Sequence, residues 1–274
     1  MNKKVSLRKF SLIITTRCNL RCKLCCEYVP QHTPFPDMTL EECKSILNAF
    51  FSVIDHVEIL HLTGGGEPFL NKNLPQLVDE CMVFSDRFDR LMLFTNCTIS
   101  PSSELLEALK KYQDKIILQV SSYNIMPERE NAVFSLLEKT GANLKVVKYH
   151  GDAQSFDGWV DFGSWEDRHR TLDELNVIFN DCAITNNMKG NWRTRNGKTH
   201  WCPRSQRGTE LGLLPDFKDD YVDLFDNSTR EEKRLKFKRI SESPFLQACG
   251  YCSGNYGTID KGKRYRAAEQ METI

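Results

Sequence analysis

The chain has 274 residues, with Lys+Arg and Asp+Glu both at 37, a formal net charge of +0, and hydrophobic residues at 40%. The length suits one large α/β domain with a small appendage. Balanced charge gives no footing for nucleic acid or an anionic membrane surface, and no apolar run is long enough to span a bilayer.

The N-terminus, MNKKVSLRKFSLIITT, lacks a signal-peptide core and cleavage site, so a cytoplasmic location is expected. In that reducing compartment eleven cysteines are poor candidates for disulfides, and an odd count cannot pair completely. Metal or cluster ligation leads the explanations.

In chain order, FSLIIT (Phe10–Thr15) reads as a first strand, followed at once by a basic, cysteine-rich loop. Cys18, Cys22 and Cys25 stand there in C-x3-C-x2-C spacing. Three thiolates from one loop can cap three corners of a [4Fe–4S] cube and leave the fourth iron open. A structural zinc site wants a closed tetrahedron. Cys26 could supply its fourth ligand, but it directly follows Cys25, and adjacent side chains point apart. TLEECKSILNAFFSVI predicts a helix, with Thr39 as N-cap and Glu42 completing a capping box. The strand VEILHLT (Val57–Thr63) runs into LTGGGEPFL, whose glycines and Pro68 suit a tight turn. Then come the helix NLPQLVDECMVFS, the strand RLMLFT (Arg90–Thr95), the helix SSELLEALKKY and the strand KIILQVS (Lys115–Ser121). The helix PERENAVFSLLEKTG, closed by Gly141, precedes the strand NLKVVKYH (Asn143–His150). Five apolar strands alternating with helices, a sixth not being evident, predict an α/β fold with a parallel sheet or partial (β/α) barrel. Its chemistry is expected at the C-terminal strand ends. Cys43 and Cys81 fall on helices and read as core.

Beyond His150 the pattern breaks into an aromatic, polar loop, Gly151–Arg170. It offers His150, Arg168, His169 and Arg170 as bases or hydroxyl binders and Trp159 and Trp165 as walls, each equally readable as a surface or packing residue. WRTRNGKTHWC predicts a β-hairpin turning at Asn196–Gly197. STREEKRLKFKRI reads as a charged amphipathic helix with a solvated face, and KGKRYRAAEQMETI as a surface helix. Between them, Cys182, Cys202, Cys249 and Cys252 form C-x19-C-x46-C-x2-C. Four thiolates can close every position of a metal site, and zinc is one candidate. A thioredoxin-like pair at Cys249 and Cys252 lacks its βαβ context.

The cysteine loop after the first strand, together with the Gly-Gly-Glu motif after the second, resembles the radical S-adenosylmethionine (SAM) superfamily. The resemblance covers roughly the first 150 residues. It implies a [4Fe–4S] cluster on Cys18, Cys22 and Cys25 whose open iron chelates SAM. It further implies SAM contacts from Gly65, Gly66 and Glu67, from Thr95 and Asn96, and from Ser121 and Ser122. Two departures are Leu24, where an aromatic residue is common, and Cys97, where the family often has glycine. The second cysteine set resembles the twitch domain, the shortened relative of the SPASM domain (a β-hairpin plus helix), which holds an auxiliary [4Fe–4S] cluster. The chain then divides into a radical SAM partial barrel over 1–170 and a twitch-like domain over 171–274.

The activity implied is hydrogen abstraction by a 5′-deoxyadenosyl radical. The compact second domain most resembles the 2-deoxy-scyllo-inosamine dehydrogenase group, so oxidation of a secondary alcohol of a sugar or aminocyclitol is expected, with the auxiliary cluster accepting an electron. Alternatives are an epimerase using Cys97 as hydrogen donor, a peptide-modifying enzyme, and a non-catalytic zinc protein. The few residues before the first strand leave no room for a separate peptide-binding domain. A small-molecule substrate and a reductant such as flavodoxin or ferredoxin are the expected partners.

Overall fold

The computed structural model describes residues 4–153, 159, 161–182, 191–254 and 265–272. Five strands lie parallel in the order of their appearance: β1 (Ser6–Ile13), β2 (His56–Thr63), β3 (Phe88–Thr95), β4 (Ile116–Ser122) and β5 (Asn143–Lys148). Between them run α1 (Leu40–Val53), α2 (Leu74–Met82), α3 (Ser103–Lys111) and α4 (Pro127–Glu138). The capping box is present: Thr39 Oγ1 accepts from the Glu42 N–H, and the Glu42 carboxylate accepts from the Thr39 N–H. Such α/β alternation with a parallel-dominated sheet is the predicted fold class.

Each strand turns alternate residues toward the helices. Phe10, Leu12, Leu60, Leu62, Leu91, Leu93, Leu118 and Val120 join one buried cluster with Ile46, Phe50, Leu77 and Leu109 from the helices. The opposite face is more polar: Ser11 of β1 lies opposite His61 of β2, and Ser11 Oγ and His61 Nδ1 sit 3.0 Å apart.

A sixth parallel strand exists, contrary to the sequence expectation. β6 (Asn191–Arg195) pairs in parallel with the free edge of β1, Phe10 opposite Trp192 and Ser11 opposite Arg193. Its two arginines hid it from an apolar-run criterion. It opens the predicted hairpin: Asn196 and Gly197 take φ of 52° and 79°, and β7 (Lys198–His200) returns antiparallel. β8 (Tyr221–Asp223) completes an eight-stranded sheet of order β5-β4-β3-β2-β1-β6-β7-β8. Among the described residues, the helices α5 (Leu172–Asp181), α6 (Pro203–Glu210) and α7 (Arg230–Ser241) follow the long loop.

α7 is amphipathic as expected: Phe237 and Ile240 are buried, and Arg234 is buried with them in an ion pair with Asp55 at 2.7 Å. One other expectation needs correction: the described part of the C-terminal tail, 265–272, is not a helix. It pairs in extended form with the first cysteine loop through Cys22 and Gln270, with Lys23 N–H to the Glu269 carbonyl at 2.7 Å. The rest of that segment, 261–264 and 273–274, lies outside the described residues. Among the described residues no helix is long and apolar enough to cross a membrane.

Candidate active site

The first cysteine loop leaves the C-terminal end of β1 and folds over the ends of β2 and β3. Cys18, Cys22 and Cys25 pack together with Leu20, Tyr123, Ile125, Trp159 and Ala268. N–H groups point at their sulfurs: the Leu20 amide to Cys18 Sγ at 3.4 Å and Gln270 Nε2 to Cys22 Sγ at 3.4 Å. Burial pushes the Cys18 thiol up to about 12 and the Cys22 thiol up to about 11. These thiols will not ionise alone; a bound cationic metal supplies the compensation that a thiolate ligand needs. Three convergent sulfurs with amide donors around them fit a cluster in which each thiolate takes its own iron. Among the described residues no three Cys, His, Asp or Glu converge as ligands of one metal ion.

The glycine run is dictated by backbone docking. A Cβ on Gly66 would stand 1.9 Å from the Arg17 carbonyl oxygen, and one on Gly64 would stand 2.3 Å from the Gly66 oxygen. That approach lets the Gly66 N–H reach the Thr15 carbonyl at 3.2 Å and the Glu67 N–H reach the Arg17 carbonyl at 2.8 Å. Gly65 lies beside Glu27, whose Oε2 would be 3.3 Å from an added Cβ. Glu67, 2% exposed, uses its carboxylate internally: it accepts from the Asn96 N–H at 2.7 Å, the Phe69 N–H at 3.1 Å and the Thr95 hydroxyl. Burial, opposed by those bonds, raises its carboxyl to about 7.

The next strand ends are tied into the same knot. Asn96 Nδ2 donates to Asn19 Oδ1 at 2.9 Å and points at Cys18 Sγ at 4.0 Å. Cys97 adopts φ 60°, the left-handed geometry that explains the family's glycine there. Its side chain is 1% exposed and its thiol faces the Glu130 carbonyl at 3.5 Å. That is the environment of a small packing residue. Ser122 Oγ donates to Glu130 Oε2 at 2.9 Å, while Glu130 Oε1 accepts from the Ile125 N–H at 3.0 Å. Ser121 hydrogen-bonds Tyr123. Tyr123 stacks on Tyr149 at 5.3 Å and meets the edge of Trp159 at 5.7 Å, forming an aromatic wall against the cysteine loop.

The continuation of that loop reaches the second cysteine set. Cys26 and Tyr28 pack with Cys182, Cys202, Cys252 and Phe162, and electrostatic interaction links Cys249 to Cys182, Cys202 and Cys252. Four cysteines separated widely in sequence thus share one place. The Ser205 N–H reaches Cys202 Sγ and the Gly254 N–H reaches Cys252 Sγ, both at 3.3 Å. Between the two sets, Glu27 makes a buried bidentate pair with Arg193 of β6, at 2.6 and 2.7 Å.

The long-loop candidates divide between the surface and the second cysteine loop. The His169 side chain is 87% exposed and pairs with Asp167 at 3.7 Å. Arg168 donates from its amide to the Gly250 carbonyl and from Nη2 to Ser253 Oγ at 2.8 Å, and Arg170 donates to the Cys249 carbonyl at 2.9 Å. These two arginines brace the second cysteine loop. Trp165 is a platform for Arg204 at 3.6 Å. His150 follows the end of β5, half-buried. Sequence reasoning missed Glu27, Arg193, Tyr123, Tyr149 and Arg204. Only Glu27 carried a signal, its position beside the cysteine motif.

Residues 12–131, just under half of the chain, match the family model described as the Radical SAM superfamily. No curated protein matches the chain. Among solved structures, the chain is similar to BtrN in complex with AdoMet and 2-DOIA, at 14% identity and TM-score 0.52, over 99% of this chain and 100% of that one. It is similar to native anSMEcpe with bound AdoMet, at 12% identity and TM-score 0.54, over 87% of this chain and 84% of that one. SuiB of Streptococcus suis, bound to S-adenosylmethionine, aligns at 16% identity and TM-score 0.42 over 52% of this chain and 33% of that one. At these identities the likeness is one of fold. The segment 12–131 that matches the Radical SAM superfamily model carries the cysteine loop, the glycine run and the alternating strands and helices of the parallel sheet.

Proposed function

We propose that the chain is a radical SAM oxidoreductase that oxidises a secondary alcohol of a sugar or aminocyclitol. The observation that carries the radical SAM part is the packing of Cys18, Cys22 and Cys25 in one cluster, with Asn96 reaching from Cys18 to the carboxylate of Glu67 in the Gly-Gly-Glu run. When bound, the cluster and SAM supply a carbon-centred radical able to take hydrogen from an unactivated C–H bond. The chain's own residues do the rest. Cys18, Cys22 and Cys25 hold the first cluster. The glycine run and Asn96 shape the SAM side, with Glu67 as the internal strut that fixes them. Tyr123, Tyr149 and Trp159 wall the space beside the loop. His150, at the end of β5, is the base for the hydroxyl proton, since Arg168 and His169 are committed elsewhere.

Cys182, Cys202, Cys249 and Cys252 hold the auxiliary cluster in this reading, and full ligation by protein suits electron transfer. The likeness to BtrN along the whole of both chains supports the small-molecule reading. The comparable likeness to anSMEcpe, also solved with a bound peptide, keeps peptide modification as the second reading.

Anaerobic reconstitution should yield about eight irons per chain with matching sulfide. SAM should be cleaved to 5′-deoxyadenosine, and Cys18→Ala, Cys22→Ala or Cys25→Ala should abolish that cleavage. Stoichiometric zinc without sulfide would sink the proposal. Conversion of a peptide but of no polyol would transfer it to the second reading.

A further inference from the structure

Two arginines beside the second cysteine set, Arg204 and Arg168, have no carboxylate partner among the described residues. Arg204 is 3% exposed, stacked over Trp165 and close to Tyr28. Its Nη atoms donate to the carbonyls of Gly163, Ser164 and Tyr251 and to the Tyr28 hydroxyl, all uncharged. Its Nε is buried without a hydrogen-bond partner among the described residues, and so is that of Arg168. Arg168 Nη2 reaches Ser253, the residue after Cys252. Arg170 holds the Cys249 carbonyl and has Glu174 nearby. The carboxylate of Asp220 is also close, but both its oxygens accept backbone bonds, from Gln247 and Ala248 at 2.9 Å.

A buried guanidinium held only by neutral groups is costly unless an anion completes its surroundings. Arg204 donates to the carbonyl of Tyr251, the residue before Cys252, at 2.6 Å, and to Tyr28, which packs with Cys202 and Cys252; this places the cation beside the ligand loop. A [4Fe–4S] cluster on four thiolates is a net anion, and one-electron reduction adds a further negative charge. A fixed cation therefore stabilises the reduced form more than the oxidised one, as do the N–H groups aimed at Cys202 and Cys252.

We propose that Arg204, seconded by Arg168, is the built-in counter-charge of the cluster at Cys182, Cys202, Cys249 and Cys252 and raises its reduction potential. This rests on the auxiliary-cluster reading given above. Both are positioning residues, acting on the cluster and not on substrate.

The test is an anaerobic redox titration of the reconstituted full chain with dithionite, following each cluster by electron paramagnetic resonance. In Arg204→Gln the reduction equilibrium of the second cluster should become about tenfold less favourable, about 59 mV for one electron. The N-terminal cluster should titrate unchanged. Arg204→Lys should recover most of the shift, and Arg168→Met should move the potential in the same direction by less. An unshifted second cluster in Arg204→Gln with full iron content overturns the proposal. If that variant loses its cluster, an unshifted potential in Arg168→Met overturns it equally. Failure of the underlying reading is separate: the unmodified protein would then hold about four irons, with no second cluster to titrate.

Discussion

Cys97 and His61 show what burial does to single side chains. At φ 60° Cys97 occupies backbone space that favours glycine, yet its thiol is packed against the Glu130 carbonyl. Cys97→Ala should cost only about 1 kcal/mol and leave the stereochemical outcome and rate of the reaction as they are; product analysis and denaturant unfolding check both. A changed stereochemical outcome would revive the hydrogen-donor role. His61 lies between Ser11 and the edge of Phe94, with Nε2 buried and without a partner among the described residues. Burial, with Lys9 nearby, holds its imidazole down at about 3 from an ordinary 6.5. The unfolded chain takes up a proton near 6.5 that the folded chain refuses. The neutral ring's stabilisation is therefore full above that pH and is lost as pH falls toward 3. The loss runs at about 1.4 kcal/mol per pH unit. Urea unfolding of His61→Gln at pH 7 and pH 5 should show a smaller loss than the unmodified chain, by about 2 kcal/mol. Equal losses would refute the assignment.

At the scale of elements, β6 is held by charge as much as by its ladder. Arg193 enters the sheet between a register partner, Ser11, and a carboxylate, Glu27, that lies 166 positions away in sequence. Removing one member leaves the other charged and buried. Arg193→Met should therefore lower stability by about 3–5 kcal/mol. The double variant Glu27→Gln with Arg193→Met should recover part of that loss, since it strands no charge. Urea midpoints for the two single variants and the double variant decide; additive losses would show that the pair does not couple. The helices, by contrast, were readable locally. The capping box of α1 and the Asn196–Gly197 turn use neighbouring residues, and each stands where its motif predicts. The C-terminal segment was misread because its pairing partner is the loop at Cys22.

On the scale of the whole molecule, a single sheet runs from β5 to β8, and the loop Cys26–Tyr28 joins the two cysteine sets. In the proposed function, radical generation belongs to the first set and electron transfer to the second. Cys249→Ala should reduce iron from about eight to about four per chain, keep SAM cleavage and abolish the oxidised product. Chromatography of 5′-deoxyadenosine and product would show the split, and loss of SAM cleavage as well would argue that the second site serves assembly alone.

The sequence by itself determined what contiguous residues can encode: cysteine spacing, the glycine run, strand and helix periods, caps and the hairpin turn. Only the tertiary structure decided which segment covers the free edge of β1, how four scattered cysteines meet, why Glu67 is a strut and that Arg204 lies buried with no carboxylate partner among the described residues. The physical reason is that burial and charge compensation are settled between segments far apart in the chain. A residue's own neighbours in sequence carry no record of which distant group will desolvate it or neutralise it.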